Sequence, residues 1–203
     1  MDSYFNPRDE AYQKFTRERQ TLWNRIAAKE AKKVRWSSYY HHRLNATYRS
    51  IIPAGSTILE VGCGRGDLLA FLEPSVGVGV DFSEGMIAAA QKAHPQCEFI
   101  CVDAHALPDL GRQFDFIILS DLVNDVWDVQ TVLAQLQPFC TPKTRLVINF
   151  YNRLWELPLK VAQALHMATP LLDQNWLTQQ DMRNLLQLCD YEVVRTSSEV
   201  LFP

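Results

Sequence analysis

The chain has 203 residues, 47% of them apolar and 21% charged, enough for one domain of ordinary size around a single core and too little for a second full one. A formal net charge of −3 gives no overall pull toward nucleic acid, and the basic cluster Lys29, Lys32, Lys33 and Arg35 reads as a solvated helix face. No run approaches the roughly 18 apolar residues of a membrane span and the first residues lack a targeting pattern, so the expectation is a cytoplasmic protein without a transmembrane segment.

Residues 8–35 carry Tyr12, Phe15, Arg19, Leu22, Trp23, Ile26 and Ala27 at spacings near three and four. That spacing predicts an amphipathic helix after Pro7 whose stripe packs on the domain or shuts over a ligand. Residues 1–50 are therefore read as a helical lid segment and 51–203 as the main domain. From Thr57 to Phe150 apolar strands alternate with helical segments. This argues an α/β fold: a doubly wound, mostly parallel sheet with helices on both faces.

The first strand ends in Glu60 and runs into Gly62-Cys63-Gly64-Arg65-Gly66-Asp67. Glycines there let the backbone turn sharply and approach a ligand. A dinucleotide fingerprint starting at Gly62 needs glycine where this chain has Asp67, which counts against a nicotinamide enzyme. Strand 76–81 ends in Asp81, about 20 residues beyond Gly62, the position from which an acid reaches ribose hydroxyls. Ser83 is placed to cap a helix over 84–93. Strand 97–102 leads to Asp103 and Ala104, and strand 114–120 ends at Ser120. Each acid alone also reads as a helix cap or a solvated loop residue. Together, at the carboxyl ends of successive strands, they point to one ligand site.

Beyond Phe150, residues 155–168 read as a helix that Pro170 breaks. Thr178-Gln179-Gln180-Asp181 opens another helix through Cys189, and residues 191–195 read as a sixth strand. Five cysteines (Cys63, Cys97, Cys101, Cys140 and Cys189) form no C-x-x-C pair and leave an odd thiol, so neither a metal site nor a disulfide framework is expected.

Glu60-x-Gly62-x-Gly64-x-Gly66, then Asp81, Asp103-Ala104 and residues 114–120 in that order, resemble the S-adenosylmethionine (SAM) site of class I methyltransferases. The resemblance implies SAM as cofactor, S-adenosylhomocysteine (SAH) as product and a set of roles. Glu60 would orient the loop near the methionine amino group, and Gly62, Cys63 and Gly64 would give close backbone contact. Asp81 would hold the ribose, Phe82 and Met86 would flank the adenine, and Asp103 with Ala104 would read its amine. Ser120, Asp121 and Leu122 would lie under the methionyl chain, and Tyr40 would bond the cofactor carboxylate. Such enzymes usually finish with an antiparallel last strand; in this chain that strand is expected to be missing, and a second copy or a partner chain to cover the sheet edge.

Residues 39–44, 120–128, 149–156 and 174–177 are further similar to bacterial methyltransferase domains found beside or fused to glycosyltransferases. That likeness implies a small-molecule, glycan or lipid-linked acceptor. Ser120-Asp121-Leu122-Val123 is not an Asn-Pro-Pro-Tyr tetrad, which favours an oxygen or carbon acceptor and no nucleic acid. His41 or His42 is the candidate general base, His41 being preferred, against a structural or solvated role. Tyr151, Asn152 and Trp155 are candidates for the acceptor wall, against Trp155 as core. Asp121 and Asp125 either serve the site or cap the following helix. The alternative function is a noncatalytic SAM-binding scaffold or regulatory subunit, which would bind cofactor without acceptor turnover.

Overall fold

The computed structural model describes residues 6–28, 35–151, 153, 156, 172 and 174–198. Strands β1 (Thr57–Val61), β2 (Val76–Asp81), β3 (Glu98–Cys101), β4 (Phe116–Ser120) and β5 (Arg145–Asn149) form one sheet in the order β3-β2-β1-β4-β5. All four pairings are parallel. The strands are apolar almost throughout because both faces are covered.

Side chains alternate across the sheet. Leu59, Ile117 and Leu119 join one core with Val129, Val132 and Leu133 of α5 (Val129–Gln135) and Met182 of α6 (Gln179–Leu188). Ile58 and Ile118 join the other, with Leu44 and Tyr48 of α2 (Arg35–Ile51), Leu69 of α3 (Asp67–Phe71), and Ile87 and Ala90 of α4 (Glu84–Ala93). Helix starts follow their capping signals. Ser83 accepts from the Met86 amide at 3.2 Å. Thr178 and Asp181 form the reciprocal capping box of α6.

Of the helix expected over 8–35, α1 spans Glu10–Ala28, residues 29–34 lie outside the described residues, and α2 begins at Arg35. Two expectations need correction. Neither Asp121 nor Asp125 caps α5; Asp128 does, accepting from the Gln130 and Thr131 amides. Residues 191–195 form no strand. The chain leaves α6 through Asp190 at φ 60° and the Tyr191 amide closes back on the Leu186 carbonyl at 2.9 Å. The Tyr191 hydroxyl then donates to Leu133 at 3.1 Å, which holds the segment against α5 and leaves Val194 70% exposed. The expected helix over 155–168 lies, but for Glu156, outside the described residues.

Candidate functional site

The loop after β1 is shaped by close approach. Gly62 has φ 75°, and a Cβ there would stand 2.7 Å from Leu122 Cδ1. Gly66 has φ 74°, and its Cβ would meet the Phe99 ring at 2.5 Å. Left-handed backbone beside packed side chains leaves only glycine free of strain. Gly64 differs: a Cβ there meets no atom within 4 Å, and the residue borders open space.

The acids at the strand ends brace this loop. Asp81 accepts from the Gly64 amide through Oδ2 and from the Ser83 amide through Oδ1, both at 2.9 Å. Burial raises its pKa, and those two amides oppose the rise. Glu60 is 2% exposed and accepts from the Leu69 amide at 3.1 Å, which ties β1 to α3. Burial pushes its carboxyl up to about 8 against the pull of that amide. It sits behind the loop, outside the residues that line the cavity.

That cavity, of about 150 Å³, opens at the carboxyl ends of β1, β2 and β4. Gly62, Gly64, Asp81, Phe82, Met86, Asp103, Ala104, Ser120, Asp121 and Leu122 line it, so most of the expected cofactor residues meet in one place. Cys63, although in the loop, turns its thiol into the core under α2 and α4, where burial raises its pKa. A wider hollow of about 460 Å³ beside Arg183, Gln187 and Tyr191 gathers none of the motif residues.

Helix α1 roofs the cavity with Phe15, Thr16, Arg19 and Trp23. Its polar residues reach acids far along the chain. Tyr12 donates to Asp103 Oδ2, Arg19 pairs with Asp125 Oδ1 at 2.8 Å, and Trp23 Nε1 donates to Asp125 Oδ2 at 2.9 Å. Asn24 and Gln20 add contacts to Ser83, the Gly85 amide and the Phe82 carbonyl. Sequence reasoning found the stripe but not these partners. The signal available was Arg19, a charged residue in an otherwise apolar row.

A second network lies at the ends of β4 and β5. Asp121, at φ 54°, accepts from the Tyr40 hydroxyl at 2.8 Å and from Asn149 Nδ2 at 2.5 Å. Asn149 in turn accepts from Tyr48 at 2.6 Å. Burial holds the Asp121 carboxyl above the usual carboxylate range, with Tyr40 and Asn149 pulling the other way. Tyr40 stacks on Tyr151 at 6.2 Å, and His41, exposed on α2, sets its ring edge against Tyr40 at 5.5 Å without lining the cavity. Asn149 and Tyr48 were not anticipated. Asn152 and Trp155 lie outside the described residues. Among the described residues no cluster of three or more His, Cys, Asp or Glu is arranged to hold a metal ion, and no helix is long and apolar enough to cross a membrane.

A five-stranded parallel sheet with a glycine loop after β1 and acids at the ends of β2 and β3 defines a Rossmann-like nucleoside site. Known proteins sharpen that description. Residues 58–143 match the family model described as a methyltransferase domain. A 2-phytyl-1,4-naphtoquinone methyltransferase of Nostoc punctiforme is 31% identical over 166 residues, covering 75% of this chain and 72% of that one. A ubiquinone biosynthesis O-methyltransferase of Nitrobacter winogradskyi is 32% identical over 110 residues, 51% of this chain and 41% of the relative. Among solved structures, magnesium protoporphyrin IX methyltransferase from Synechocystis with bound SAH superposes with a TM-score of 0.66 at 19% identity, covering 95% and 93% of the two chains. The chain belongs to the class I SAM-dependent methyltransferases. Nothing in these likenesses ties it to the glycosyltransferase-associated branch, so that narrower resemblance is not carried forward.

Proposed function

We propose that this chain binds SAM in the cavity beside Gly64 and transfers its methyl group to an oxygen or carbon of a small, ring-bearing acceptor of the quinol or phenol class. The observation that carries this reading is the convergence of Gly62, Gly64, Asp81, Asp103 and Asp121 around one cavity at the carboxyl ends of the sheet. The residues suit the cofactor: open space at Gly64 for close backbone contact, Asp81 for ribose hydroxyls, Met86 and Phe82 for an adenine ring, Asp103 for its amine. When bound, SAM supplies an electrophilic methyl on a sulfonium. The protein's share is to hold the acceptor in line, exclude water and, for an oxygen acceptor, take a proton. His41 beside Tyr40 is our candidate base, and Tyr151, with Asn152 and Trp155, our candidate acceptor wall.

The quinol class is favoured over glycans because curated relatives carry naphthoquinone and ubiquinone methyltransferase names. The cavity of about 150 Å³ is smaller than the ~300 Å³ at which small-molecule sites begin, and α1, which roofs it, is the element whose outward shift would enlarge it for the full cofactor. Among the described residues β5 pairs only with β4, and a partner chain or second copy along β5 would complete its backbone bonding. Scattering at rising concentration checks that association.

The deciding experiment is calorimetry with SAH, using NADH as control, followed by an acceptor screen of naphthohydroquinones, catechols and glycans. Micromolar SAH binding without NADH binding, and methylation of a quinol, is the expected result. SAH binding with no turnover on any acceptor would favour the scaffold reading.

A further inference from the structure

His105 lines the cavity beside Asp103, its side chain only 4% exposed. Its two ring nitrogens face different partners. Nε2 lies 3.1 Å from the backbone N–H of Asp128, which can only donate, so Nε2 must present a lone pair. The ring proton is then on Nδ1, which lies 2.7 Å from Asp103 Oδ1 and donates to it. In the opposite tautomer two N–H groups would face each other at Asp128, and a lone pair would face the carboxylate.

The backbone N–H of His105 reaches the same Oδ1 at 2.9 Å. One residue thus supplies two donors to one carboxylate oxygen, which fills its lone pairs and fixes the plane of the carboxyl group. Oδ2 accepts from the hydroxyl of Tyr12 of α1 and has a second lone pair with which to meet a ligand donor. Burial alone would raise the Asp103 pKa, but the donors from His105 and Tyr12 hold it below the usual aspartate range, so it stays an acceptor. The group that sets the tautomer is itself immobile. Asp128 is the N-cap of α5, its carboxylate accepting from the Gln130 and Thr131 amides at 2.9 and 3.2 Å.

We propose that His105 is a positioning residue for the adenine-side acceptor Asp103: its Nδ1–H tautomer, imposed by the Asp128 amide, aims Oδ2 at the exocyclic amine of the cofactor. The proposal rests on the SAM reading above and goes beyond it by assigning the source of adenine discrimination to a residue that need not touch the ligand. Asp103 supplies the contact; His105 supplies its direction.

The test compares two ligands that differ at that amine, SAH and S-inosylhomocysteine, by calorimetry on the full chain. His105→Ala should weaken SAH about tenfold, the effect of one hydrogen bond to a charged group, and change S-inosylhomocysteine by no more than about twofold. His105→Asn, whose side-chain amide can donate to Oδ1, should recover most of the SAH affinity. Equal losses for both ligands, or unchanged SAH affinity, overturn the proposal. Should the alanine variant fail to fold, nitrogen-15 NMR of the unsubstituted chain decides: a neutral His105 ring protonated at Nδ1 supports the assignment, and a ring protonated at Nε2 overturns it. An unsubstituted chain that binds no SAH overturns the cofactor reading and this proposal together, whereas SAH binding with an Nε2–H ring overturns this one alone.

Discussion

Arg19 of α1 holds its guanidinium Nε 2.8 Å from Asp125 Oδ1, with side chains 4% and 18% exposed, directly over the cavity. The guanidinium also lies 3.4 Å from the centre of the Phe15 ring, and Trp23 occupies the other carboxylate oxygen. The roof of the site is therefore fastened by a desolvated ion pair rather than by apolar contact alone. Such a pair adds little when intact compared with what is lost when one partner is removed and the other charge stays buried.

Arg19→Met keeps the apolar stem and removes the charge. We expect α1 to lose roughly 3 kcal/mol of protection in hydrogen exchange, while β1 and β4 amides keep theirs, and SAH to associate faster because the roof opens more readily. Unchanged exchange in α1 would show that the ion pair is not what holds it down.

On the proposed reading Asp81 would serve two purposes at once, since its oxygens already hold the Gly64 and Ser83 amides. Asp81→Ala should cost SAH affinity about 1–3 kcal/mol for the unpaired ribose hydroxyls, and more if the loop relaxes. Asp81→Asn retains one acceptor oxygen and should fall between. Calorimetry on the three proteins orders them, and an alanine variant that binds SAH as tightly as the parent removes the ribose assignment.

Glu60 gives a pH dependence with a definite sign. Burial raises its folded pKa from 4.5 to about 8, so between those values the folded chain binds more protons than the unfolded one. Stability from this group is fully present below about pH 4.5 and is lost as pH rises toward 8. Glu60→Gln is uncharged throughout and can still accept from Leu69. Its melting temperature should fall less steeply than the parent's across that window. Parallel melting curves against pH would show that Glu60 ionises in the fold at its ordinary pKa.

The parts of this site legible in sequence are those that parallel strands deliver locally. A glycine turn after one strand and acids at or just past the ends of the next two sit at the same edge of a parallel sheet whatever the rest of the chain does, so Gly62, Asp81 and Asp103 could be placed together. What could not be read are pairings between distant elements. Tyr12 and Asp103 are separated by 91 positions and Arg19 and Asp125 by 106, and no local pattern links them. His105 follows a motif that drew attention to Asp103, yet its part depends on the Asp128 amide, a backbone group with no sequence signature. Residues 191–195 differ: Tyr191, Val193 and Val194 suit a strand, but the left-handed turn at Asp190 directs Tyr191 onto α5 and away from the sheet.

His41 offers the sharpest separation between chemistry and architecture. Its ring is exposed and meets only the edge of Tyr40 among the aromatic side chains described, so removing it should leave the cavity and the Tyr40–Asp121 bond in place. If it takes the proton of an oxygen acceptor, His41→Ala should lower kcat by roughly a hundredfold or more, with SAH affinity unchanged. Tyr40→Phe supplies the contrast. It strips one donor from half-buried Asp121, at a cost of about 1–3 kcal/mol, and should lower stability and cofactor affinity before it touches the chemical step. Steady-state kinetics on a quinol acceptor, with calorimetry on the same two variants, reads both effects. A His41→Ala enzyme with parental kcat assigns the proton to another group, and one that has lost SAH binding makes His41 part of the cofactor wall.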